Sequence, residues 1–442
     1  MDPAEEKRIT GFFTSVHENK EGPDMSIKEE FMGNFLCRSH AVDMRHLVVV
    51  CCLAFWTFAQ EVPFGFSSQP VLFDTGDTYT VVWSTTDIGS AKVEIRCPDG
   101  GVLLFSDAVD GLGDFQTRIH GVRVPKELLE TAGTSYRASS RRTIDTSRYG
   151  YKFGEEVISG FTALRPKKTG AEISFLAFSD VQGGEKYVQQ VIAAVTEPYD
   201  FVVALGDYSN WYNCYEDYIN PLLIPAYQAT KGEIPLVYVG GNHEIKGSWA
   251  KQTNRFFPTP SPDNQRYYTW SYGPLFVTTL FFGDDHGDDM PRYSGVSEFD
   301  AYKDGEYEWL ERQKIQRLWG RYRYHLAFCH IPLLAEENLM TADRVCKECN
   351  KAHGYKQKEF GRLLEKMDVQ AMLSGHTHQA RLCRHPDLAF SNLQIGGIRK
   401  GGYKASLIRL VPGKMGYTIY GSDGSRESGE VPVGDNRRIF WW

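Results

Sequence analysis

Five short apolar runs, each followed closely by a side chain that can bind a metal ion, constrain the fold of this 442-residue chain more than any other feature. The runs cover residues 173–178, 200–205, 235–239, 324–328 and 369–373. The side chains that follow them are Asp180, Asp207, Asn242, His330 and the pair His376 and His378. Such runs predict strands buried on both faces, and parallel strands deliver the residues after them to one edge of a sheet. We therefore expect these groups, which suit divalent cations, at one rim of one sheet.

The segments between the runs have the spacing of helices. Apolar residues from Val188 to Val195 fall on one helical face and predict a crossover helix that ends before Pro198. Further helices are predicted over residues 305–319 and 356–367. Strands that alternate with helices are typical of an α/β domain.

We place this α/β domain at residues 171–421. Its last part contains runs at 388–393, 405–410 and 417–420, which predict strands that close a second sheet layer. Residues 422–442 show no motif and form a C-terminal tail in this prediction.

The sequence before this domain has a different pattern. Between residues 69 and 164, short β-rich runs alternate with turns of Gly, Asp and Ser. Regular spacing of this kind predicts an all-β sandwich, which we place at residues 61–165. A linker follows over residues 165–170. We expect the sandwich to carry no chemistry.

One membrane-type stretch lies at residues 47–59. It is shorter than the roughly twenty residues that span a bilayer, and it predicts a signal peptide at residues 44–60 with a mature chain that begins near Gln60. An uncleaved signal anchor and a buried hydrophobic helix are the alternatives. Residues 1–43 are a charged extension without periodicity. We therefore expect a secreted protein, or a membrane-anchored one with an exported catalytic domain.

The cysteines and the net charge further limit the possible classes of protein. Removal of the leader leaves six cysteines, at positions 97, 214, 329, 346, 349 and 383. An even number in a secreted chain predicts disulfides, with no free thiol beyond Cys329. We favour a disulfide over a zinc site for Cys346 and Cys349 with His353, because these offer only three ligands. A net charge of −7 excludes nucleic acid as a bound scaffold.

The five motifs, with Gly206-Asp207, Gly241-Asn242 and Gly375-His376 at their centre, resemble those of the calcineurin-like metallophosphoesterases. The resemblance covers roughly residues 171–421. The preceding sandwich is similar to the arrangement in purple acid phosphatases, which implies a sandwich of the fibronectin type III or immunoglobulin kind. The resemblance of the five motifs implies a four-layer β-sandwich flanked by helices. It also implies a metal-dependent phosphatase that cleaves phosphate esters by attack of a metal-bound hydroxide.

The resemblance implies a role for each residue. The first metal ion would be bound by Asp180, Asp207 and His378, and the second by Asn242, His330 and His376, with Asp207 as the bridge. The ions would be divalent manganese, zinc or iron. His243, next to a ligand, would act as an acid that stabilises charge or protonates the leaving oxygen.

Two positions depart from the resemblance. Purple acid phosphatases have a tyrosine ligand where this chain has Asn210, and Tyr208 and Tyr212 lie to either side. Many relatives have histidine where this chain has Gln182, whose amide oxygen is a weaker ligand for a hard cation. Gln182 and Asn210 remain possible metal ligands, but we predict no iron–tyrosinate bond.

The histidines and the acidic run have alternative interpretations. A single histidine is more often a surface or core residue than a ligand, but alternation along a strand end would place His376 and His378 on one face. The acidic run at 284–289 is either a solvated loop or a contact to substrate or to an extra cation.

The expected function is hydrolysis of phosphate monoesters on a small phosphorylated substrate. Diesters or nucleotides are the nearest alternative, and an inactive cell-surface binding protein is another. A membrane partner is expected only if the hydrophobic segment stays uncleaved.

Overall fold

The computed structural model describes residues 62–147, 150–168, 170–261, 265–336, 339–340, 356–384, 388–399 and 401–434. These residues belong to one compact unit. The extension at 1–43 and the predicted leader at 44–60 lie outside the described residues. Among the residues described, no helix has the length and apolar character needed to cross a membrane.

The described part of the chain is built mainly of strands. The strands are β1 Phe66–Asp74, β2 Thr78–Gly89, β3 Lys92–Arg96, β4 Val102–Ser106, β5 Thr117–Pro125, β6 Ser135–Asp145, β7 Lys152–Ile158, β8 Ile173–Phe178, β9 Phe201–Leu205, β10 Pro235–Val239, β11 Tyr268–Tyr272, β12 Leu275–Leu280, β13 Tyr324–Cys329, β14 Leu334–Glu336, β15 Leu339–Met340, β16 Ala371–Ser374, β17 Ala380–Cys383, β18 Ser391–Ile395, β19 Gly397–Arg399, β20 Gly402–Val411, β21 Lys414–Gly421 and β22 Arg426–Pro432.

Helices connect and cover these strands. The α-helices are α1 Lys126–Glu130, α2 Glu185–Ala194, α3 Glu216–Tyr218, α4 Ile224–Thr230, α5 Thr253–Phe256, α6 Phe299–Gln316 and α7 Gln357–Lys366. A π-helical turn covers Ile219–Leu223, and 3-10 turns cover Ala250–Gln252, Pro291–Tyr293 and Leu318–Arg321. The predicted crossover helix after the first apolar run is therefore confirmed as α2.

The first sheet has β8, β9 and β10 as parallel neighbours at its centre. Strand β20 pairs antiparallel with the outer side of β8, and β21 and β22 follow it to the edge. Every residue of β8, β9 and β10 is buried, because helices cover one face and a second sheet covers the other. Strand β22 lies in the segment for which the sequence predicted only a tail.

The second sheet has the order β11-β12-β13-β16-β18-β17. Its inner face packs on the first sheet, where Phe175 and Phe201 share a core with Leu326 and Leu373. Helices α6 and α7 cover its outer face, with Leu310 and other apolar side chains in a separate core. The domain thus has two sheets between two helical layers, and this mixed α/β architecture agrees with the predicted fold class.

This arrangement corrects the expectation of one sheet rim. The strands that precede His330 and His376 belong to the second sheet, whereas those that precede Asp180, Asp207 and Asn242 belong to the first. An apolar run shows that a strand is buried, but the choice of neighbours depends on long-range pairing that the run itself does not encode.

The strands from β1 to β7 lie before the α/β region and have their own core, which includes Trp83 and Tyr136. Strand β1 pairs antiparallel with β2 and parallel with β10, where Leu72 lies opposite Pro235. The first sheet therefore continues into the N-terminal strands without a break. The fibronectin-like identity of this region stays a prediction.

The thiols correct a second expectation. Among the described residues Cys97, Cys214 and Cys329 are free, whereas the sequence predicted a free thiol only at Cys329. An even count of cysteines does not bring the sulfur atoms together in space, and Cys214 instead contacts the carboxylate of Asp217 at 3.4 Å. Cys346, Cys349 and His353 lie outside the described residues.

Candidate metal centre

The predicted site residues lie in the loops directly after β8, β9, β10, β13 and β16. Four of the six predicted ligands have the left-handed backbone conformation, with φ values of 51° at Asp180, 58° at Asp207, 66° at His376 and 54° at His378. Residues other than glycine rarely adopt this conformation, and it costs about 1 kcal/mol or more at each position. Strain of this kind collects at functional sites because the surrounding contacts hold it in place.

Asp207 is the hub of the cluster. Its Oδ2 atom lies 3.0 Å from Nε2 of His330 and 3.8 Å from Nε2 of His243. The main-chain N–H of His243 donates to its Oδ1 atom at 2.7 Å. Burial alone would raise the pKa of Asp207, but the imidazoles of His330, His243 and His376 outweigh it and lower the pKa below its usual value.

Asp180 faces the same Nε2 atom of His330, with its Oδ1 atom at 3.7 Å, and Nε2 of His378 approaches that Oδ1 atom at 3.3 Å. The hydroxyl of Ser179 donates to Oδ2 at 2.6 Å. Burial raises the pKa of Asp180, and the nearby charge of Asp207 adds to this effect. In return Asp207 and Asp180 raise the pKa of the buried His330 to about 10, although its burial acts in the opposite direction. The same negative field would attract a metal cation.

Hydrogen bonds to the main chain orient two of the imidazoles. Nδ1 of His330 donates to the carbonyl of Leu205 at 2.7 Å, and Nδ1 of His378 donates to the carbonyl of Ile398 at 2.6 Å. The Nε2 atom of each ring therefore faces the carboxylates of the cluster. Outer hydrogen bonds of this kind fix the tautomer of metal-binding histidines.

Two local observations show that the cluster fits a cation. The Oδ1 atom of Asn242 lies 3.1 Å from both Asp207 Oδ2 and His376 Nδ1, so that electron-pair donors converge on one point. Rotation of this amide is the other way to satisfy these atoms. The buried Nε2 atom of His330 has the carboxylate of Asp207 at 3.0 Å as its nearest polar contact and forms no well-formed hydrogen bond among the described residues. A shared cation would satisfy all four groups.

The structure thus brings together Asp180, Asp207, Asn242, His330, His376 and His378, the six predicted ligands. The prediction that His376 and His378 alternate along a strand end was wrong. β16 ends at Ser374, and His376 and His378 lie in the turn after it, not in alternation along the strand. Their positive φ values aim one ring at Asn242 and the other at Asp180.

The positions that depart from the resemblance have distinct environments. The Nε2 atom of Gln182 lies 3.4 Å from Oδ2 of Asp207, so its amide borders the cluster. Asn210 is exposed, and its main-chain carbonyl accepts from Nδ1 of His243 at 2.7 Å. The phenol of Tyr208 accepts from Gly206 N–H at 2.7 Å, and that of Tyr212 donates to Glu244. Both phenols are thus engaged with other groups.

Glu244 is a site residue for which the sequence predicted no role. Its carboxylate is fully buried and accepts from the main-chain N–H of Asp207 at 2.9 Å and of Gly241 at 2.6 Å. It also accepts from the main-chain N–H of Tyr208 at 3.2 Å. Glu244 therefore ties the loop after β9 to the loop after β10. Its only sequence signal was its place directly after Asn242 and His243.

Part of the acidic run at 284–289 borders the cluster. Oδ2 of Asp285 lies 3.4 Å from Nε2 of His376, and Asp284, Asp285 and His286 form a second group of converging polar atoms. Asp284 is buried and accepts from the hydroxyl of Tyr293. Residues 285–288, in contrast, are partly exposed and Asp289 is exposed. The run is thus not a fully solvated loop.

The fold and this cluster define a metal-dependent phosphoesterase, a hydrolase of phosphoric esters. Residues 173–380 match the family model described as calcineurin-like phosphoesterase. The matched segment contains all six candidate ligands.

Two solved structures are similar to this one. Purple acid phosphatase PPD1 from yellow lupin seeds has a TM-score of 0.54 and 14% identity, with 83% of this chain and 74% of that chain covered. The structure of PhoD has a TM-score of 0.52 and 12% identity, with 86% and 92% covered. No curated protein matches the sequence. At these identities the likeness concerns the fold.

Proposed function

We propose that the protein is a secreted phosphatase that hydrolyses phosphate monoesters with two metal ions. The observation that carries this proposal is the convergence of Asp180, Asn242, His330 and their neighbours on the shared carboxylate of Asp207. The donors are oxygen and imidazole nitrogen, which suit divalent manganese, zinc or iron. When bound, such ions would polarise the phosphoryl oxygens and lower the pKa of a coordinated water.

Differences in side-chain exposure support one direction of approach for the substrate. The side chains of Asp180 and His330 are 0% and 1% exposed, whereas those of His243, His376 and His378 are 23%, 22% and 30% exposed. The carboxylates form the floor of the site, and the three imidazoles form its mouth. A phosphate ester that enters here meets the imidazoles first.

His243 is the candidate acid. Its Nδ1–H is held by the carbonyl of Asn210 at 2.7 Å, which leaves Nε2 to face the site at 3.8 Å from Asp207 Oδ2. A protonated Nε2 could donate to a phosphoryl oxygen or to the leaving oxygen. The ring is partly exposed, so it can reach a substrate at the mouth without movement of the main chain.

The proposal is tested by turnover of p-nitrophenyl phosphate and bis-p-nitrophenyl phosphate after separate addition of manganese, zinc or iron. We expect metal-dependent release of nitrophenol, with the monoester preferred and Asp207→Ala inactive. A preference for the diester would replace the monoester assignment with a phosphodiesterase. No turnover of either ester by protein shown to contain metal would favour the inactive binding protein.

Secretion is tested separately, because the hydrophobic segment lies outside the described residues. We expect N-terminal sequencing of exported protein to begin near Gln60. Exported protein that still carries residues 1–43 would contradict cleavage and favour a membrane anchor.

A further inference from the structure

A cavity of about 300 Å³ opens beside the candidate metal centre. It lies between the turn that carries His378 and the hairpin of β19 and β20. The side chains and main chain that line it include His378, Gly397, Arg399, Tyr403, Lys404 and Asp423. This volume is at the lower end of the range for small-molecule sites.

Two hydrogen bonds fix the hairpin to the metal centre. The main-chain N–H of Ile398 donates to the carbonyl of Asp180 at 3.0 Å, and the carbonyl of Ile398 accepts from Nδ1 of His378 at 2.6 Å. Arg399 is the next residue. The main chain at Arg399 is therefore held close to two candidate ligands, Asp180 and His378.

The register of the hairpin places two cations on one face. Gly397 lies opposite Lys404, and Gly402 lies opposite Arg399. Directly opposed residues of an antiparallel pair point to the same face, so both cations share a face with two glycines. A β-carbon at Gly397 would lie 2.6 Å from the β-carbon of Asp180, so glycine is required there. The hairpin can approach the centre closely and still present two positive side chains.

The protein neutralises these cations only in part, because Asp423 of the same lining interacts electrostatically with Lys404. Within the described ranges, no carboxylate forms an ion pair with Arg399 or Lys404, although the whole chain has a net charge of −7. On the neighbouring strands Lys414 is paired with Glu430 at 2.9 Å. The cavity contains one carboxylate, Asp423, which is exposed and accepts from Ser425 N–H at 2.9 Å. The lining thus has an excess of one positive charge.

We propose that this cavity binds the leaving group of the substrate, and that Arg399 and Lys404 recognise a second phosphate group on it. This inference rests on the proposed function. The substrate class is then a small bisphosphate, with one phosphate at the metal centre and the other between the two cations. Arginine offers a planar fork to phosphate oxygens and lysine adds a mobile point charge, a combination suited to a dianion.

The test compares propanediol monophosphate with propanediol bisphosphate, which share the same ester bond. We expect kcat/KM for the bisphosphate to exceed that for the monophosphate by about tenfold or more, because charge-assisted phosphate contacts contribute on this scale. The double variant Arg399→Ala with Lys404→Ala should lose this ratio. Arg409→Ala is the matched control, because it removes an exposed positive charge from the same strand outside the cavity lining. It should keep the ratio.

The outcomes separate this inference from the proposed function. A wild-type ratio that stays well below about tenfold, with normal turnover of p-nitrophenyl phosphate, overturns the inference alone. If no phosphate ester is hydrolysed, the proposed function fails, and titration calorimetry of the chelated protein with propanediol bisphosphate decides the inference. Tighter binding to the wild type than to the double variant supports the anion site, and equal binding overturns it.

Discussion

The Nε2 atom of His376 lies 3.4 Å from the Oδ2 atom of Asp285, and Nδ1 of the same ring lies 3.1 Å from Oδ1 of Asn242. A proton on Nε2 that points at the carboxylate leaves Nδ1 free to bind a metal ion. Asp285 therefore orients the imidazole of His376 from outside the cluster, as carboxylates do for many metal-binding histidines.

We expect Asp285→Asn to weaken binding of the second metal ion by about 10–100-fold, because an amide can present its N–H₂ group to the ring and no longer fixes the tautomer. Metal affinity measured by competition with a chelator checks this. Glu308→Gln, on the exposed side of α6, is the control for loss of one carboxylate. Equal affinities in the two variants would remove Asp285 from the positioning of His376.

The candidate acid and the candidate bridge should differ in phenotype. Asp207→Ala removes the shared carboxylate, and we expect loss of both bound metal and activity. His243→Ala leaves the predicted ligand set intact, and we expect full metal content with kcat lower by about 10²–10⁴-fold. Elemental analysis together with steady-state kinetics checks both variants. Loss of metal from His243→Ala would show that this imidazole is a ligand.

We expect the iron-loaded protein to be colourless. The phenols of Tyr208 and Tyr212 are engaged with Gly206, Val239 and Glu244, and burial raises the pKa of both well above the usual value. Neither is therefore available as a tyrosinate ligand. An absorption spectrum of ferric protein checks this, and a visible charge-transfer band that disappears in Tyr208→Phe or Tyr212→Phe would contradict it.

Glu244 should contribute to stability as well as to the site. Its carboxylate accepts from the main-chain N–H groups of Asp207, Tyr208 and Gly241. Glu244→Gln keeps the shape but turns N–H₂ toward donors, and we expect a loss of about 3 kcal/mol in the free energy of unfolding. Urea unfolding measures this. Glu308→Gln should change the same quantity by less than about 0.5 kcal/mol, and an equally small change at Glu244 would contradict the role.

Buried neutral histidines should make the protein sensitive to acid. Burial lowers the pKa of His325 to about 4 and that of His120 to about 3. In the unfolded chain both would titrate near 6.5. Between about pH 6.5 and 4 the unfolded state binds protons that the folded state does not bind, so each histidine lowers the free energy of unfolding by up to about 1.4 kcal/mol per pH unit as the pH falls. Above about pH 6.5 neither histidine contributes to the pH dependence of stability.

His325→Gln isolates one of these contributions. Nδ1 of His325 donates to the carbonyl of Met367 at 2.9 Å, and Nε2 lies 2.9 Å from the hydroxyl of Thr278. The variant should be less stable than the wild type at pH 7.5, and the gap should narrow as the pH falls from 6.5 toward 4. Urea unfolding at several pH values measures the gap. Parallel stability profiles would show that His325 does not titrate in this range.

Much of the centre could be predicted from local sequence. The runs at 173–178 and 235–239 form strands with those bounds, because short runs apolar on both faces have few other ways to leave water. The polar residues that follow must then lie where the strands end. This is why the sequence places the six candidate ligands after buried strands.

The tertiary structure decided how those ends meet. The division of the strands between two packed sheets, the pairing of β1 with β10, and the left-handed turns at His376 and His378 depend on contacts far along the chain. So do the placement of Asp285 beside His376 and of Arg399 beside the centre. The sequence by itself determined which segments are buried and which groups follow them, since burial is a local property of composition. Which buried segments become neighbours is set by the packing of many side chains at once, and no single run contains that information.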